Sequence, residues 1–191
     1  MVPPTLETLM VAGMAIISLG IDASARSSGL TYINGSSVKV KRILPKKLVG
    51  SARLNYIYTE TKSFLKDLQP PEIIIMEGPS FFSTNKPFTM GEIYGTFKLC
   101  IYSMYSREIS IVTPKQLKKY LAGSGDATKE QMKKAAVRLG CPSAQEDICD
   151  AYSAALLGKD LLGKTNTPST RKSMEIIASL GSLLNQIESP D

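Results

Sequence analysis

Histidine is absent from all 191 residues. That absence excludes Ser-His-Asp and Cys-His nucleophile systems and the HExxH type of metal site. Catalysis in this chain must therefore rest on carboxylates, lysines, hydroxyls or a metal held by oxygen. Cysteine is scarce: Cys100, Cys141 and Cys149 are an odd number without CxxC spacing. A disulfide framework and a cysteine-based zinc site are both disfavoured, and a reducing compartment is favoured. Long hydrophobic runs are missing too. The apolar stretch over 9–21 is only 13 residues, too short to span a bilayer. Glu7 is the only charge before it, so it does not read as a secretory signal. A cytoplasmic protein is expected, with no membrane partner.

What is present suits one compact domain with a real core: 43% of the residues are hydrophobic. The net charge of +6 suggests a polyanionic partner without establishing one. Residues 1–14 read as a leader, in which Met14 is an alternative start. Apolar runs over 16–22, 29–33 and 38–44 read as three strands, with Asn34-Gly35 as a hairpin signal between the last two. Helical spacing follows over 51–68, stopped by Pro70-Pro71. Ile73-Ile74-Ile75-Met76 is the continuous apolar run of a strand buried on both faces. A helix over 90–106, a strand over 109–112 and a short helix from Pro114 through Tyr120 come next. Asp126 and Thr128 cap a helix reaching Leu139, and residues 146–162 form the last core helix. Residues 164–191 read as a linker and a short amphipathic helix outside the domain of 15–163. The order predicts a mixed α/β sheet with helices on its faces.

The carboxylates draw attention because of where they fall. Asp22 ends the first strand and Glu77 ends the fourth. Asp147 and Asp150, at i and i+3 on the first turn of the last helix, share a face. Taken singly, Asp22 reads equally well as a turn residue capping local amides, Glu77 as a surface strand end, and the helix pair as favouring the dipole. Taken together, clustered carboxylates repel by several kcal/mol at ~4 Å in a partly buried site. Divalent cations relieve that repulsion, and with only oxygen ligands on offer Mg²⁺ or Mn²⁺ is the natural occupant. Two such ions ~4 Å apart suit phosphodiester hydrolysis.

Four motifs then come in sequence: Gly20-Ile21-Asp22-x-Ser24 with Gly29-Leu30, and the apolar strand ending at Glu77. Pro114-x-x-Leu117-Lys118 leads to Gly123-x-Gly125-x-Ala127-x-Lys129, and Asp147-x-x-Asp150-Ala151 is the fourth. In this order and spacing, over about 16–163, the chain resembles the RuvC-type Holliday junction resolvases of the RNase H-like superfamily, including small members from bacteria and phages. The resemblance implies an RNase H-like five-stranded sheet, an antiparallel three-strand meander plus two parallel strands. It implies Asp22, Glu77, Asp147 and Asp150 as catalytic ligands of two Mg²⁺ ions, with Mn²⁺ able to substitute. In-line hydrolysis would leave 5′-phosphate and 3′-hydroxyl ends, with Lys118 stabilising the transition-state charge. Lys118, Lys129, Ser24 and Lys115 would contact DNA. Phe81 and Phe82, in the loop after Glu77, would stack on bases at the branch point; anchoring that loop in the core is the other reading.

The resemblance further implies a homodimer through the helix over 90–106, whose Tyr94, Leu99, Tyr102 and Tyr105 exceed its core stripe. Paired sites would nick a four-way junction symmetrically. Lys39, Lys41, Arg42, Lys46, Lys47 and Arg53 around the third strand either extend a phosphate-contacting surface or protect a sheet edge; Lys39 and Lys41 fit the second better. Two alternatives stay open: a broader nuclease for forks and flaps, and a junction-binding module without catalysis. An actin-like ATPase fragment shares the strand–Asp–turn opening. However, the chain is short for two such lobes, and Gly123-Ser124-Gly125 lacks the ending of a phosphate-binding P-loop.

Overall fold

The computed structural model describes residues 15–79 and 87–163. The expected leader, the expected linker and amphipathic helix over 164–191, and Phe81 and Phe82 lie outside the described residues. The elements run β1 (Ile17–Asp22), β2 (Ser28–Asn34), β3 (Ser37–Ile43), α1 (Gly50–Leu65), β4 (Ile73–Glu77), α2 (Pro87–Tyr105), β5 (Ser110–Val112), α3 (Pro114–Ala122), α4 (Lys129–Arg138) and α5 (Glu146–Gly163). The five strands form one sheet in the order β3-β2-β1-β4-β5. β1, β2 and β3 pair antiparallel, while β4 runs parallel to β1 and β5 parallel to β4. The expected meander plus two parallel strands is therefore what the chain forms.

Residue alternation along the strands divides the core in two. Ile17, Leu19 and Ile21 of β1 face α1 and α2, together with Ile74 and Met76 of β4. Ile73 and Ile75 face α3, α4 and α5 on the other side. β4 is apolar at successive positions because both its faces are covered. On the α5 side β1 carries Ser18 and Gly20 instead of bulk. A Cβ on Gly20 would stand 1.9 Å from the carbonyl oxygen of Ala151 and 2.4 Å from the nitrogen of Ala155. The Ser18 hydroxyl donates to the Ala155 carbonyl at 2.7 Å. The last helix thus lies directly on the central strand, small residue against small residue.

Local signals set several boundaries. The hairpin turn is Gly35-Ser36, with Gly35 at a φ of +59°, and Asn34 is the last residue of β2 paired with Ser37. Thr113 and Thr128 each cap a helix through a reciprocal capping box with Gln116 and Gln131. Asp126 does not cap α4: its backbone N–H donates to Ser124 in the preceding turn, and Thr128 is the residue at the helix start. α3 runs two residues past Tyr120 and ends at Gly123, whose φ of +78° fits a left-handed cap.

Candidate active site

The same alternation that sorts the core gathers the acids. Ser18, Gly20 and Asp22 share the α5 face of β1, while Ile73, Ile75 and Glu77 share that face of β4. The β1–β4 ladder pairs Ile21 with Met76, so Asp22 and Glu77 end adjacent parallel strands at the same level. The third contribution comes from the first turns of α5, which rests on β2 at Gly29. A Cβ there would stand 2.0 Å from the carbonyl oxygen of Asp147. Two glycines, Gly20 in β1 and Gly29 in β2, therefore let Asp147 and Asp150 approach the strand ends.

Electrostatics record how close the acids are. Burial, then the charges of Asp150, Glu77, Asp147 and Glu146, push the Asp22 carboxyl well above the usual carboxylate range. Burial and the Asp150 charge push Glu77 up to about 7, against the opposing pull of Lys118. Burial and the Glu146 charge push Asp150 up to about 6, against Lys129. Among the described residues, the side chains of Asp22, Glu77 and Asp150 make no ion pair or hydrogen bond. Tyr94 of α2 donates its hydroxyl to the Glu77 backbone carbonyl at 3.0 Å, which braces the end of β4.

Asp147 differs from the other three. One of its carboxylate oxygens accepts from Arg42 Nε at 2.5 Å and from the Ser27 hydroxyl. The other accepts from the backbone N–H of Ile148 at 2.9 Å. Among the described residues, no group of three acids or cysteines stands as a ready-made ion cage. A converged four-carboxylate ligand set is thus not what the chain holds as it stands. Uncompensated carboxylates repel, and the fourth has turned to an arginine. The donor chemistry still fits a hard divalent cation: three unpaired carboxylates, all oxygen, drawn from three elements and each raised by its neighbours.

The basic residues sort by distance from this group. Lys118 of α3 is partly buried and its charge reaches both Glu77 and Asp150. Lys129, at the start of α4, pairs with Glu146 and is held protonated by it. Lys115 lies further out, exposed and 4.0 Å from the Asp126 carboxylate. Ser24 is spent on its own turn: its N–H donates to Ser28 Oγ at 3.0 Å and its hydroxyl accepts from the Arg26 N–H at 3.4 Å. Lys41 pairs with Glu60 of α1 across the sheet edge, as charge protection of an edge strand requires.

On α2, Tyr94 and Tyr105 turn inward, Tyr105 donating to the Leu65 carbonyl at 3.1 Å. They do not extend an outer apolar face. Leu99 (63% exposed), Tyr102 (55%) and Phe88 (89%) do. Sequence reasoning passed over Glu146, whose charge raises Asp22, Glu77 and Asp150 alike. Its position beside Asp147 in the first helical turn was the available signal. It also passed over Ser27 and the role of Arg42, for which the sequence carries no signal, because only strand register sets Arg42 opposite Gly29.

Comparison with known proteins gives a consistent result. The family model "Crossover junction endodeoxyribonuclease RuvC" matches residues 17–158. A crossover junction endodeoxyribonuclease RuvC of Dictyoglomus thermophilum is 29% identical over 152 residues, covering 74% of this chain and 94% of that one. The namesake from Caldicellulosiruptor saccharolyticus is 33% identical over 150 residues, covering 75% and 86%. Among solved structures, T. thermophilus RuvC in complex with Holliday junction substrate superposes with a TM-score of 0.62 at 22% identity, covering 74% of this chain and 91% of that one. At that identity the likeness speaks for the fold.

Proposed function

This chain belongs to the crossover junction endodeoxyribonuclease RuvC family, and from that premise we propose that it is a metal-dependent endonuclease that resolves four-way DNA junctions by paired, symmetric nicks. The observation that carries the reading is the meeting of Asp22, Glu77 and Asp150 at one end of the central strands, unpaired and each raised by burial and by neighbouring acids. A pure binding surface facing phosphates gains nothing from such a cluster.

Asp22, Glu77 and Asp150, with Asp147 beside them, would hold Mg²⁺, and Mn²⁺ would substitute. When bound, divalent ions supply Lewis acidity at the scissile phosphate and charge neutralisation in the transition state. Asp22 lies at the centre of the group and feels every other acid in it. Lys118, whose charge reaches Glu77 and Asp150, would offset the negative charge that develops on the phosphoryl oxygens. Lys129 and Lys115 at the starts of α4 and α3, with the Ser24 turn, line the approach for the sugar–phosphate backbone. Phe81 and Phe82 stack at the branch point. The net charge of +6 favours the polyanion throughout.

Residues 15–163 make up the nuclease domain, flanked by the leader and the C-terminal segment. Two copies of it, joined through the outer face of α2, give the symmetry that paired nicks demand. No helix among the described residues is long and apolar enough to cross a membrane, which fits an enzyme working on DNA in the cytoplasm of a bacterial cell.

Cleavage of labelled four-way junctions, forks, flaps and linear duplex, with Mg²⁺, Mn²⁺ or EDTA, tests the proposal. Symmetric nicks with 5′-phosphate ends, confined to four-way junctions and abolished by EDTA, are expected. Equal cutting of forks and flaps would make it a general debranching nuclease. Tight binding without cuts under either metal would make it a junction-binding module.

A further inference from the structure

Five acids surround the site, but two carry their own cation: Glu146 is paired with Lys129 and Asp147 with Arg42. The two pairs differ in kind. Lys129 and Glu146 are both well exposed, their side chains at 77% and 55%, whereas the Asp147 side chain is only 7% exposed. Arg42 reaches it from the edge strand along a path set by register. It stands opposite Gly29 in the β2–β3 ladder, on the sheet face that Val38 and Val40 turn toward α5. Gly29 is the point where the start of α5 touches the sheet. With no side chain there, the guanidinium passes over β2 and meets the carboxylate. Ser27, at the turn before β2, donates to the same oxygen and also accepts from Arg42 Nε at 2.9 Å.

Asp147 is consequently close to fully committed. A carboxylate offers about four lone-pair positions; two donors hold one oxygen and the Ile148 N–H holds the other. A charge-assisted contact of this kind is among the stronger hydrogen bonds, and a cation in direct contact with a carboxylate disfavours a second cation on it. Asp22, Glu77 and Asp150 have no such partner among the described residues.

We propose that Arg42, with Ser27, is a positioning residue that withholds Asp147 from the metal site, so that the DNA-free protein takes one divalent ion, on Asp22, Glu77 and Asp150, rather than two. This rests on the metal-dependent reading given above. Arg42 supplies at Asp147 the positive charge that a second ion would bring, and such an ion would bind there only once the guanidinium lets go.

Counting bound Mn²⁺ by titration calorimetry and electron paramagnetic resonance, on full-length protein without DNA, tests it. Wild type is expected to take one ion, Asp22→Asn none, and Arg42→Gln two, the second bound roughly tenfold or more tighter than in wild type. Arg42→Lys restores the charge and returns the count to one. Asp147→Asn keeps the first ion with its affinity changed less than about tenfold, and this variant decides alone if Arg42→Gln does not fold. Two ions of similar affinity in wild type overturn the proposal, as does an unchanged count in Arg42→Gln or loss of the first ion in Asp147→Asn. No ion on any of these proteins overturns the metal reading itself and the proposal with it.

Discussion

At the scale of single residues, Asp22 carries the most consequence. It ends a central strand, lies among four other acids, and is held far above the ordinary carboxylate range chiefly by burial. Asp22→Asn is expected to lower junction cleavage by about a thousandfold or more, the scale on which removing one key catalytic group acts, while four-way junction binding persists in a gel-shift assay. Retained Mg²⁺-dependent nicking would sink the assignment.

The same burial, with the neighbouring charges, fixes a sign for pH. Glu77 titrates near 7 in the folded chain and near 4.5 when unfolded, so between those values the folded state binds the extra proton. Stability is therefore fullest below the ordinary carboxylate pKa and is lost as pH rises through about 7. The loss is up to about 3 kcal/mol for this group. Metal-free protein should melt at a lower temperature at pH 8 than at pH 5.5, and Asp22→Asn should shrink that difference. Mn²⁺ affinity should move the other way, falling as the pH drops through about 7 and then about 6, where Glu77 and Asp150 take up protons that compete with the ion.

Among elements, the contact of α5 with β1 and β2 builds the site. α5 brings Asp147 and Asp150 to the strand ends only because Ser18, Gly20 and Gly29 leave room, and Ala151 and Ala155 answer them from the helix. A methyl group on Gly20 would meet helix backbone at 1.9 Å, and backbone cannot rotate away as a side chain can. Gly20→Ala is accordingly expected to cost about 3 kcal/mol or more in urea unfolding, and any folded fraction should bind Mn²⁺ weakly because α5 has been lifted from the sheet. A thermal midpoint within a degree or two of wild type would refute the close packing described. The two capping boxes are local by contrast: Thr128→Ala removes one and should cost about 1 kcal/mol without disturbing the acids.

For the whole molecule the question is how one site per chain would give the two opposed cuts proposed above. α2 buries Ile93, Phe97 and Ile101 against the sheet and Cys100 against α1, and leaves Leu99 and Tyr102 outward, 63% and 55% exposed. A spare apolar face of this kind suits a two-fold interface. Changing Leu99 and Tyr102 together to glutamate should shift the sedimentation coefficient from dimer to monomer and uncouple the paired nicks. Single nicks should then appear on junctions without the matching cut. An unaltered dimer would move the interface elsewhere.

Period, punctuation and composition determined much of this protein. Alternating and continuous apolar runs specify the strands, Thr-x-x-Gln and glycine mark helix ends, and the missing histidine excludes imidazole chemistry. Strand-end position was enough to single out Asp22 and Glu77, because a residue's face in a strand is a local property with a period of two. What the acids do to one another was decided by tertiary structure alone. Sequence spacing treats Asp147 and Asp150 as equals, yet one is neutralised by an arginine 105 positions away and the other stays unpaired. Likewise the tyrosines of α2 divide between core and surface by how the helix rolls on α1. Register, helix roll and charge pairing depend on contacts between segments far apart in the chain, and local patterns do not encode those distances.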